Sequence, residues 1–154
     1  MPRYISPEEF KNLVEEQCQF LQTDYGCSLK KINDWKYTVE NMTTRVLFLI
    51  EGDALTVGIE AIGEGANQLL RKNIIPSGTE VFVICECLDR ELHYEIALIG
   101  KDRWIHNIPI EIENRTRLLR KYCTKMLQGD FSEWPGIEKC LSEKRRRLRS
   151  PLQN

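Results

Sequence analysis

Apolar and polar positions alternate most clearly between Arg45 and Glu60, where two apolar runs flank Gly52-Asp53. A two-residue turn needs residues that tolerate positive φ, and Gly and Asp both do, so the stretch predicts a β-hairpin. The register follows from the turn. Val46, Phe48 and Ile50 face Ile59, Val57 and Leu55 on one side, while Arg45, Leu47 and Leu49 face Glu60, Gly58 and Thr56 on the other. The first side is a core face. Burying its six apolar side chains contributes a gross term on the order of 10 kcal/mol, enough to anchor a small domain once ordering entropy is subtracted.

Helical spacing appears on either side of this hairpin. Ser6-Pro7-Glu8-Glu9 is a capping box with proline at the first helical position, and Phe10, Leu13, Val14, Gln17, Cys18 and Leu21 form one stripe. That predicts a helix to about Tyr25, ended by Gly26. Trp35, Tyr37 and Val39 then alternate with Lys36, Thr38 and Glu40 as a half-buried strand, giving at least three adjacent strands in a meander. From Ile62 to Gly78 the breakers Gly63, Gly65, Pro76 and Gly78 predict a loop-rich link with one short helical piece at Gln68–Lys72.

Glu80–Leu88 satisfies two periods. It is β-branched enough for a strand, yet Val81, Ile84, Cys85 and Leu88 also make a helical stripe. The period-two run Leu92, Tyr94, Ile96 and Leu98, after Asp89-Arg90-Glu91, favours a second hairpin and so the strand. Lys101-Asp102-Arg103-Trp104 is a polar turn. Glu113–Gln128 reads as a helix with Leu118, Leu119, Tyr122, Cys123, Met126 and Leu127 on one face, ended by Gly129. Asp130 or Ser132 can cap a last helix carrying Trp134, Ile137, Leu141 and Leu148. Trp134 is expected to pack near Tyr122 or Met126. The expected layout is α+β: an N-terminal helix, an antiparallel β-meander and a C-terminal helix pair, forming one domain over 1–149 with a frayed tail at 150–154.

Composition changes this picture little. The 154 residues, 42% hydrophobic and 29% charged, suit one domain of ordinary make-up, and a formal charge of -1 gives no global pull toward nucleic acid or acidic lipid. The longest purely apolar run, Val46–Ile50, is far below the ~18 residues of a membrane span, and the opening residues lack a signal-type run; a cytoplasmic protein with no membrane partner is expected. In that compartment Cys18, Cys27, Cys85, Cys87, Cys123 and Cys140 are expected as reduced, core-filling thiols. Asn41-Met42-Thr43 and Asn114-Arg115-Thr116, sequons in form, are then turn and helix-start residues.

Candidate chemistry is sparse. Cys85-x-Cys87 with His93 has zinc-type ligands, but a fourth would have to come from His106 or Cys123, and two thiols on one strand face suit a core equally. No nucleophile elbow or cysteine-protease signature accompanies His93 or His106, Glu51, Asp53 and Glu60 flank a turn as solvated carboxylates do, and Gly63-x-Gly65 lacks the Lys-Ser or Lys-Thr of a phosphate loop. No catalytic residue, metal or cofactor is assigned. Between Lys139 and Arg149 six basic residues stand against one acidic, Glu143; such a cluster docks phosphate or carboxylate, or else forms a solvated helix end complementing the helix dipole.

Leu127-Gln128-Gly129-Asp130-Phe131-Ser132-Glu133-Trp134 resembles the C-terminal stretch of a group of small uncharacterised intracellular bacterial proteins. These pair an N-terminal helix and an antiparallel sheet with a C-terminal helix, and some look like immunity proteins for polymorphic toxins. The resemblance implies a non-catalytic, partner-binding protein and carries over no functional residue. Gly-Asp followed by an anchoring Phe and Trp is also a plain joint between helices. The expected activity is binding of another protein, or of a second copy, with Leu47, Leu49 and Gly58 on the second hairpin face as one contact candidate where the C-terminal helices do not wrap over it. Arg145, Arg146 and Arg147 are the other. The rivals are a nucleic-acid binder using those arginines and an enzyme with a His/Cys site.

Overall fold

The computed structural model describes residues 5–52, 54–89, 92 and 108–149, of which 148 and 149 by backbone only. Helix α1 (Pro7–Gln17) begins as the capping box predicts, with Ser6 Oγ accepting the Glu9 N–H at 3.1 Å. Its stripe does not run unbroken to Tyr25. Cys18, at φ -90° and ψ 0°, divides α1 from α2 (Gln19–Tyr25), although its own N–H still bonds to Val14. Gly26, at φ 65°, then ends α2, and the Cys27 N–H turns back onto the Leu21 carbonyl at 3.1 Å.

Five antiparallel strands follow in the order β1 (Ser28–Asn33), β2 (Lys36–Glu40), β3 (Thr44–Glu51), β4 (Ala54–Ala61) and β5 (Thr79–Glu80). The hairpin register is the expected one at every pair, from Arg45 opposite Glu60 to Ile50 opposite Leu55. Gly52 in its turn has φ 61°, whereas Asp53 lies outside the described residues. The hydropathy pattern assigns no element to Ser28–Asn33. It is a polar edge strand exposed on nearly every position, so it has no buried face to announce itself.

Helices lie against the core side of the sheet, where Tyr37, Val39, Val46, Phe48, Ile50, Leu55, Val57 and Ile59 are buried. Helix α3 (Gly63–Leu70) packs on β4, longer than the short piece expected. A Cβ at Gly65 would meet the Thr43 carbonyl and stand 2.7 Å from Phe131 Cε2, so only glycine lets α3 sit this close.

Val81–Leu88 is a helix, α4, and the strand reading of Glu80–Leu88 is corrected: only Thr79-Glu80 pairs with β4. Tertiary packing overrides β-branched propensity here, because Val81, Ile84 and Cys85 bury one helical stripe against α5 (Ile108–Tyr122), while α4 also packs on α7 (Trp134–Arg149). The run Leu92–Leu98, the turn at Lys101–Trp104, His93, His106 and the tail 150–154 lie outside the described residues, Leu92 itself excepted.

The predicted helix over 113–128 starts earlier, at Ile108, and breaks at Cys123 before the single turn α6 (Thr124–Leu127). Gly129, at φ 90°, ends it. In the joint that follows, Asp130 Oδ1 accepts the Ser132 N–H at 2.9 Å, which tightens the turn ahead of α7; the Ser132 hydroxyl and then this N–H hold the Asp130 carboxyl below its ordinary pKa. Phe131 and Trp134 are both buried, with ring centroids 6.1 Å apart in an edge-to-face arrangement.

The loop between β2 and β3 ties these layers together. Asn41 Oδ1 accepts the N–H groups of Thr43 and Thr44 at 2.9 and 3.0 Å and the Thr43 hydroxyl at 3.1 Å. Its amide donates to the carbonyls of Tyr25 at 3.1 Å and Leu127 at 3.3 Å. Thr44 Oγ1 donates to the Met126 carbonyl at 2.6 Å.

Candidate functional site

With the described helices on one side, the other side of the sheet carries the residues that strand alternation turns away from the core. Three rows cross it. The middle row runs Lys30, Thr38, Leu47, Gly58, Glu80; a flanking row runs Glu40, Arg45, Glu60; the third holds Lys36, Leu49 and Thr56. Leu47 and Leu49 are half-buried, and Ile32 at the β1 end is 45% exposed. A groove of about 290 Å³ lies over β1–β3 between Lys30, Ile32, Lys36, Thr38 and Leu47, closed at one end by Glu40, Arg45 and Glu60. A second hollow, about 150 Å³, continues over Thr56, Gly58 and Glu80.

Electrostatics divide this face. Arg45 Nε donates to Glu40 at 2.6 Å and its Nη1 reaches Glu60 at 3.5 Å. The Glu40 bond, outweighing partial burial, raises the Arg45 pKa above its already high ordinary value. Lys30 and Lys36 have no carboxylate partner among the described residues.

Gly58 lets another element of the chain come close. The chain that comes close to it is its own β5, whose Thr79 carbonyl would lie 3.4 Å from a Cβ at this position. Gly58 is accordingly buried, while Leu47 and Leu49 remain reachable.

The arginine run on α7 is exposed at Arg145, Arg146 and Arg147. Lys144 Nζ meets Glu86 at 2.6 Å, Arg145 lies 3.8 Å from Glu138, and Arg146 is itself engaged. Consecutive positions point ~100° apart around a helix, so the three do not form one flat patch.

The cysteines depart from the reading of six thiols. Cys87 and Cys140 form a disulfide joining α4 to α7 with Cα atoms 5.8 Å apart; the pairing spans 53 residues, beyond any local pattern. Because α4 is a helix and not a strand, Cys85 and Cys87 point to different sides. Cys85 is buried beside Cys123, whose hydrogen bond, together with burial, pushes its thiol far above the ordinary range; its Sγ lies 3.9 Å from the Leu118 carbonyl. Burial likewise pushes Cys18 and Cys27 up to about 11, so these thiols stay protonated and weakly reactive near neutrality. Among the described residues no three His, Cys, Asp or Glu side chains converge on a metal position.

Sequence reasoning missed a partly buried ionic cluster. Arg115 Nε donates to Glu80 Oε1 at 3.0 Å, its Nη1 stands 3.5 Å from Glu111, and its guanidinium lies 5.3 Å over the Phe82 ring. Glu80 Oε2 also accepts the Val57 N–H at 3.0 Å, replacing the strand neighbour lost where the chain turns into α4. Burial raises both carboxyl pKa values, against the opposing pull of Arg115. The i,i+4 spacing of Glu111 and Arg115 was a visible signal; Glu80 was not.

No protein-family model, curated protein or solved structure matches the chain. No helix among the described residues is long and apolar enough to cross a membrane.

Proposed function

We propose that this chain acts by binding another protein through the outer face of its sheet, as a non-enzymatic module of the kind that immunity proteins represent. The observation that supports this is the placement of Ile32, Leu47 and Leu49, three large apolar side chains, on a charged face that no described helix covers. An antiparallel sheet can leave one side to water, but that side is then ordinarily polar. Leucines at its centre fit a surface dried by a partner, with a charged rim that sets orientation.

Leu47→Glu and Leu49→Glu test this. Each variant should keep the parent's circular dichroism and urea midpoint while losing partner capture or self-association in sedimentation velocity. Collapse of the fold in both, or unchanged association in both, refutes the reading. A cytoplasmic setting belongs to the same proposal, and the Cys87–Cys140 pair gives it an independent check: in a reducing compartment alkylation of freshly lysed cells should label both thiols.

A further inference from the structure

The charges left over on the outer face define the partner more closely, on the assumption that this face is the contact surface. Arg45 is answered within the chain by Glu40 at 2.6 Å and Glu60 at 3.5 Å. Lys30 on β1 and Lys36 on β2 line the same groove and meet no carboxylate among the described residues. The same groove is lined by Ile32, 45% exposed, and by Leu47. Covering this groove dries two ammonium groups, and a dried, unpaired cation is strongly unfavourable. A partner that seats on Ile32 and Leu47 therefore has to bring its own carboxylates. We propose that the partner's contacting segment is acidic, its carboxylates meeting Lys30 and Lys36 while an apolar side chain rests on Ile32 and Leu47.

The other occupants fit less well. A second copy approaching along the β1 edge would set Lys30 and Lys31 against their own equivalents, the usual protection of an edge strand against self-pairing. A nucleic-acid backbone would gain two lysines but meet Glu40 and Glu60 in the same groove, and it has no use for an aliphatic floor. A protein segment alternating acidic and apolar side chains matches both the cations and the floor.

The test uses the full chain, ¹⁵N-labelled, titrated with an octapeptide alternating glutamate and leucine. Controls are an octapeptide alternating lysine and leucine and an eight-nucleotide thymidine strand. Amide shifts should cluster on β1, β2 and β3, the acidic peptide should bind about tenfold tighter than the basic one, and added salt should weaken it. Lys30→Glu combined with Lys36→Glu should reverse the preference. The inference is overturned if the double variant still prefers the acidic peptide, if the basic peptide binds the parent equally well, if the nucleotide strand binds the same residues more tightly, or if the shifts fall elsewhere. Leu47→Glu separates the two readings: loss of binding in that variant with no effect of the lysine reversals keeps the contact face and removes the acidic preference, whereas no effect of either removes both.

Discussion

Replacing Asn41 by alanine should destabilise the protein more than any other single change at a half-exposed polar position. The side chain makes five hydrogen bonds, accepting from Thr43 N, Thr44 N and Thr43 Oγ1 and donating to the carbonyls of Tyr25 and Leu127. Each contributes roughly 0.5–1.5 kcal/mol net, and water can replace some of them at a part-buried site, so a loss of about 3 kcal/mol is expected. With an m-value of roughly 1–3 kcal/mol/M, the urea midpoint should fall by about 1–3 M with the slope unchanged.

Asn41→Asp sharpens the test, because it keeps the three accepted bonds and turns an oxygen toward two carbonyls. That variant should cost about 2 kcal/mol near neutrality and recover as acid restores a donor proton. A loss below about 1 kcal/mol in Asn41→Ala, or an Asn41→Asp variant indistinguishable from parent at pH 7, would show that packing alone holds the loop and that the bonds contribute nothing net.

Two further outcomes follow from buried groups. Burial raises the Glu111 pKa above its ordinary value of 4.5, so the folded state keeps a proton that the unfolded chain has released; this contribution is complete below that value and is lost as pH rises through the folded pKa. Glu111→Gln should therefore gain stability relative to parent as pH increases from 4 to 8, measured by thermal unfolding across the range, and a constant difference would refute the assignment. Cys140→Ser removes a cross-link spanning 53 residues and should cost up to about 4 kcal/mol on a chain-entropy basis. Its melting point should match that of the reduced parent, and a non-reducing peptide map of the purified, air-oxidised parent that lacks the Cys87–Cys140 pair would overturn the linkage.

How far the sequence spoke depended on how local the cause was. The hairpin register, the Ser6 cap and the Gly26 and Gly129 stops all arise within a few residues, and each stands where the pattern puts it. Val81–Leu88 failed because its β-branched content and its 3.6-residue stripe point to different elements, and the decision came from α5 and α7, which the stretch cannot see. Half of the candidate site was legible. Leu47 and Leu49 came from hairpin alternation, but Lys30 and Ile32 sit on an edge strand with no amphipathic signature. The Glu80–Arg115 pair and the Cys87–Cys140 bond depend on where α4 lands.

The way Glu80 finishes the sheet bears on assembly in a crowded solution. Growth of a filament by strand addition needs an open edge at both ends of every subunit. On the β4 side, the backbone of Thr79-Glu80 pairs with Gly58 and Ile59, and the Glu80 carboxylate takes the Val57 N–H, so the middle of that edge has nothing left to offer a neighbour. Among the described residues the longer strand edge is therefore at β1, and Lys30 and Lys31 guard it. A two-residue strand at one end and a lysine-bearing strand at the other disfavour propagation of the sheet from subunit to subunit.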